Sequence, residues 1–96
     1  MTAQFKTVYT FETAQNKAFT DSASAAVDNA FANTTRAIVA WVTEDAYVDT
    51  GKSPTASSTT FPYPANTIIH RVVLPGNKIA ARAISGSGTL YVVEVS

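Results

Sequence analysis

Ninety-six residues carry seven basic and seven acidic side chains, one histidine and no cysteine. That length makes one domain with a modest core. Zero net charge argues against a nucleic-acid binder, and the lack of cysteine excludes a disulfide framework or a thiolate metal site. Weak self-repulsion suits a protein in an assembly, and a short chain without staples leans on partner subunits.

The opening "MTAQFKTVYTF" has no apolar run behind a basic segment, so no secretory signal is expected. No stretch approaches the ~20 apolar residues of a membrane span. The expectation is a soluble protein made in the cytoplasm, with no membrane partner. The glycosylation pattern at Asn33-Thr34-Thr35 then reads as a chance match.

The first predicted element is a strand in "QFKTVYTF", with Phe5, Thr7, Tyr9 and Phe11 on one face. Residues 12–35 carry two signals. Ala23, Ala26, Val27, Ala30 and Phe31 fit helical spacing, with Asp21 as a cap. The Ser, Asn and Asp content opposes a helix, and the reading adopted is an extended arm with a short strand near residues 22–27. "TRAIVAWVT" is apolar on both faces, which predicts a strand buried on both sides and places Trp41 in the core.

"DAYVDT" is a short strand ending at Gly51, and residues 51–67 form a crossover loop with two prolines around Tyr63. "TIIHRVVL" follows, then Pro75-Gly76, the signature of a type II turn. "KIAARAI", the turn "SGSG" and "TLYVVEV" complete a predicted antiparallel meander. Seven or eight short strands predict an all-β chain. The fold class is a single small antiparallel β-sandwich or jelly-roll-like barrel, with residues 1–35 as arm and first strands and 36–96 as sandwich core.

The chemical motifs weigh against catalysis. Gly51-Lys52-Ser53 resembles the tail of a phosphate loop, but a Walker A motif needs glycine at the position of Ala46 and a helix after the lysine; here Pro54 follows. "SGSGT" lies between strands, so it reads as a hairpin turn. Glu44, Asp45 and Asp49 lack the alternation of a calcium loop and read as an acidic strand edge. His70 stands without a nucleophile elbow or a zinc ligand set, and is expected beside solvent or an interface. Arg71, Lys78 and Arg82 read as a solvated face, or as partners for Glu94 or for aspartates of a neighbour. No catalytic, cofactor or metal residue is assigned.

The aromatics outnumber the places in a thin core. Phe5, Tyr9 and Phe11 on the first strand, and Phe61 and Tyr63 in the proline-stiffened loop, are the candidate protein–protein contacts. The competing role for Phe61 is a plug at one end of the sandwich.

From Thr35 to Val95 the order of features is "TTRAIVAWVTEDAYVDTGKSPTAS", "FPYPANT" and "LPGNKIAARAISGSGTLYVVEV". This resembles the small β-sandwich virion proteins of tailed bacteriophages, of the capsid decoration or cement type. The motifs are structural, and the N-terminal third has no counterpart. The resemblance implies a non-enzymatic virion protein whose partners are the major capsid protein or other virion proteins, in a homo-oligomer, with a trimer expected. It leaves two other readings: a tail or head–tail accessory protein, and a carbohydrate- or ligand-binding module with the aromatics as its platform.

Overall fold

The computed structural model describes residues 11–96. These form eight strands: β1 Phe11–Thr20, β2 Ala25–Ala26, β3 Ala37–Val42, β4 Ala46–Gly51, β5 Phe61–Tyr63, β6 Ile69–Val72, β7 Lys78–Ala83 and β8 Ser87–Val95. No helix occurs among the described residues. The all-β expectation holds.

The pairing follows one rule. β1 pairs with β8, β2 with β7, β3 with β6 and β4 with β5, all antiparallel. The chain is thus a long two-stranded ribbon whose turn lies between β4 and β5. Folding the ribbon over brings β3 beside β8 and β4 beside β7. Two four-stranded sheets result, sheet A in the order β1-β8-β3-β6 and sheet B in the order β2-β7-β4-β5. This is the strand order of a jelly roll, a β-sandwich built from two four-stranded sheets.

The predicted C-terminal meander does not form. β6 pairs in sheet A, β7 in sheet B and β8 again in sheet A. The turn at Pro75-Gly76 has the expected form: Gly76 has φ 84°, and Asn77 N–H donates to the Leu74 carbonyl at 3.2 Å. It carries the chain from one sheet to the other instead of closing a hairpin. Turn chemistry specifies that a chain reverses, not which strand it then joins. Two backbone bonds hold the turn to the loop before β3: Gly76 N–H to the Phe31 carbonyl and Phe31 N–H to the Asn77 carbonyl, both 2.8 Å.

Residues 12–35 also differ from a free arm. Residues 11–20 are the edge strand of sheet A, and Ala25–Ala26 pairs with β7 inside the predicted stretch. The helical spacing loses because β7 and β8 supply ladder partners that an isolated segment lacks. Phe5 and Tyr9 lie outside the described residues.

The core fills the space between the sheets. Ile38, Ala40 and Val42 of β3 face Val48, Ile79 and Ala81 of sheet B, with Leu90, Val92 and Ile69 alongside and Phe19, Val27 and Phe31 at the flanks. Each large apolar side chain so buried contributes about 1.5–3 kcal/mol. Trp41 does not join them. β3 is buried on one face only, and Ala37, Val39 and Trp41 alternate onto the half-buried outer face. A two-layer sandwich gives each strand one inner face, whatever the sequence offers on the other.

Gly88 of β8 lies at a close approach between Phe19 of β1 and the turn from β3 to β4. A Cβ at Gly88 would lie 2.8 Å from Glu44 Cβ, 2.9 Å from Phe19 Cζ and 2.9 Å from Thr43 Oγ1. Gly88→Ala is therefore expected to destabilise the fold by about 1–3 kcal/mol in urea unfolding, through overpacking.

Candidate contact surfaces

The outer face of sheet A is apolar at its centre, with Asn16, Thr89 and His70 as its polar members. β3 presents Ala37, Val39 and Trp41, and its ladder partners on β8 are Val93 opposite Val39 and Tyr91 opposite Trp41. β1 adds Ala14 and Ala18 around Asn16, by their registry with Val93, Tyr91 and Thr89. β6 adds His70 and Val72, opposite Val39 and Ala37. Val72 is 89% exposed. Trp41 and Tyr91 stack with centroids 5.4 Å apart and planes 21° from parallel. These outward rows carry no Asp, Glu, Lys or Arg. The corresponding rows of sheet B place Tyr47, Asp49, Lys78 and Arg82 outward, an ordinary solvated face.

The two open sides of the sandwich are closed by different chemistry. On one side β5, the edge of sheet B, turns Phe61 and Tyr63 inward opposite Val48 and Ala46. Their rings lie 4.9 Å apart. Arg71 points inward from β6, the edge of sheet A, and its guanidinium lies 5.3 Å from the Phe61 ring centroid and 5.8 Å from that of Tyr63. The cation thus bridges the two sheet edges through ring quadrupoles. Phe61 remains 56% exposed, so it does not plug the sandwich, while Tyr63 packs against the core. A shallow groove of about 250 Å³ runs beside Phe61 and Arg71, lined also by Asp49 and Thr60.

On the other side the inward residues of β1 reach the loop after β2. Lys17 Nζ lies 2.8 Å from Asp28 Oδ1. Gln15 both donates to the Asn29 carbonyl and accepts from the Asn29 N–H. The Lys17 ammonium, first through this hydrogen bond and then through its charge, lowers the Asp28 carboxyl from its ordinary value. A depressed carboxylate stabilises the fold above its unfolded-state pKa, and that contribution is lost as pH falls through the lowered value. At an exposed pair it is small.

Glu94 does not pair with the basic residues. It points inward from β8, is 2% exposed, and accepts the Ala32 N–H at 2.8 Å and the Thr35 hydroxyl at 2.6 Å. The Thr35 oxygen also lies 3.2 Å from Glu12 Oε1, and the Thr34 hydroxyl donates to Glu12 Oε2 at 2.7 Å. One loop, residues 32–35, is thereby tied to both β1 and β8. The threonine of the glycosylation-like triplet is a buried structural donor.

The remaining motifs resolve into loop chemistry. Asp49 accepts the Thr55 N–H and Asp45 accepts the Ala65 N–H, so the acidic edge caps loop amides. Gly51-Lys52-Ser53 leaves the end of β4 for a loop, not a helix. That loop is anchored by buried Ala56, whose N–H donates to Ser24 Oγ at 2.8 Å. Its far end is strand β5, with Pro62 on an edge where a missing donor is tolerated. His70 is exposed on the outer face of sheet A. Arg82 donates to the Asp21 carbonyl. Among the described residues no group of three or more His, Cys, Asp and Glu stands close enough to hold a metal ion.

Of the candidate contacts, Phe11 is 68% exposed at the start of β1, and Phe61 and Tyr63 share the Arg71 clasp at the far side of the molecule. The structure does not bring Phe11 together with them. Sequence reasoning missed the Trp41–Tyr91 face, although the two-faced apolar pattern of "AIVAWV" was its signal. Comparison with family models, curated proteins and solved structures gave no match.

Two outcomes test these contacts. Thr35→Val, which removes the shortest bond to buried Glu94, is expected to cost about 1–3 kcal/mol in thermal unfolding. In Lys17→Met the Asp28 carboxyl should titrate at higher pH than in the parent chain, as followed by carboxyl NMR.

Proposed function

We propose that this chain is a non-enzymatic structural subunit of a bacteriophage virion, of the capsid decoration or cement type. The observation that carries the reading is the outer face of sheet A, apolar and free of charge beside a charged outer face on sheet B. Exposed apolar patches of roughly a few hundred Å² are often functional contact surfaces. The jelly-roll strand order supports it by analogy, because capsid proteins use that architecture; lectin domains do too. In this reading each subunit covers a seam in a shell of major capsid protein, within the virion, as a homo-oligomer with three copies expected. The contact free energy adds to shell stability, and many symmetric copies multiply a weak contact by avidity.

A second reading has one observation behind it. The groove beside Phe61 and Arg71 offers an aromatic face next to a guanidinium, which suits a carbohydrate or another small ligand. A tail or head–tail accessory role differs from decoration only in copy number.

Quantitative mass spectrometry of purified particles separates the three. Hundreds of copies per particle are expected for decoration. A ring-sized complement of about six or twelve would place the chain in the tail or its connector. Absence from particles would overturn the virion reading and leave the ligand-binding module.

A further inference from the structure

The centre of the outer face of sheet A is apolar, and nothing in the described chain covers it. Val39, Trp41, Tyr91 and Val93 form its centre, two abreast on adjacent strands. The sequence of β3 suits burial on both faces, and the sandwich buries only one.

The chain holds one segment of matching chemistry outside the described residues. Residues 4–11 alternate Phe5, Thr7, Tyr9 and Phe11 with Lys6, Val8 and Thr10, and carry a single charged side chain. The segment joins β1 at Phe11, whose ladder partner is Val95 at the end of sheet A. Met1 to Gln15 contain no Gly, Pro, Asn or Asp. Without a turn-forming residue, a chain of β-branched and aromatic residues is poorly suited to double back onto its own sheet.

Area supports the same assignment. Four strands about 4.8 Å apart and some 20 Å long present a footprint of roughly 400 Å². A stable interface needs about 800 Å² per partner. The face alone supplies half of that. Three aromatics that bury on the order of 150–250 Å² each can supply the other half, provided each copy gives its own segment and receives another.

We propose that the outer face of sheet A receives a second copy of this chain, and that residues 4–11 of that copy lie across Trp41 and Tyr91. Each copy gives one segment and receives one, which a reciprocal pair or a closed ring satisfies alike. It rests on the reading of the chain as a subunit of an assembly and names the surface that joins its copies.

The absence of cysteine allows a direct test. Tyr9→Cys and Val39→Cys are purified as separate single variants, mixed and oxidised. A disulfide between the two is expected, and light scattering should show the parent chain above 10.2 kDa. Deletion of residues 2–10 should lower the mass to that of one chain and raise acrylamide quenching of Trp41, the sole tryptophan. Deletion retains every residue of β1–β8, so far-UV circular dichroism should keep its strand signature. A disulfide in the double variant at low concentration but not between the mixed single variants would show the chain covering its own face and overturn the proposal. So would a parent chain of one-subunit mass, or a truncated chain that keeps the parent's mass. Abundant copies on particles together with such a result would leave the virion reading standing and sink this one.

Discussion

The ladder of β8 with both β1 and β3 is the constraint on which the rest depends. The last strand of the chain lies inside sheet A, with the first described strand on one flank and β3 on the other. Phe11 opposes Val95 across almost the whole sequence. Sheet A therefore cannot close until β8 is in place, and the pairings of β8 join residues far apart in sequence. Such topologies fold slowly, because loop-closure entropy is spent before distant contacts offset it. The buried Glu94 sits on this strand and gathers Thr35 and the Ala32 amide around it. The central strand thus fixes a loop as well as two neighbours.

A sandwich this small has no covalent staple, and its open sides are where a two-layer fold is weakest. Each side has a clasp made of inward-pointing edge residues. Arg71 meets Phe61 and Tyr63 on one side, and Lys17 and Gln15 meet Asp28 and Asn29 on the other. An inward charge on an edge strand also discourages the edge from pairing with another sheet. The clasps stabilise the monomer and limit unwanted association through the edges β1, β5 and β6.

With edges defended and one outer face charged, the outer face of sheet A is the surface most suited to a partner. Trp41 and Tyr91, stacked across adjacent strands, make a rigid aromatic platform with little rotamer entropy to lose. The Phe61 corner is a smaller surface whose aromatic rings already have a partner in Arg71. This difference ranks the two surfaces: among the described residues the first has no cover, while the second is partly satisfied by Arg71.

The all-β class, the strands around residues 37–42, 46–51, 69–72, 78–83 and 87–95, and the turn at Pro75-Gly76 were legible in the sequence, because period-two alternation and glycine–proline turns are local properties. Phe11 as an exposed aromatic was legible too. The sheet assignment of β6, β7 and β8 was not, since a tight turn encodes reversal and leaves the choice of partner to ladder bonds formed elsewhere. Trp41 was misplaced for a related reason: alternation shows that both faces of "AIVAWV" are apolar, and only the tertiary structure decides which face meets sheet B. Glu94 was read as a partner for the basic residues, because a strand acid near them in sequence has no other local partner. Its burial depends on a loop 60 residues away in sequence, folded against it by the β8 ladder, with Thr35 bonded to it across that distance. Local pattern determined what each segment is; long-range packing determined where each side chain points.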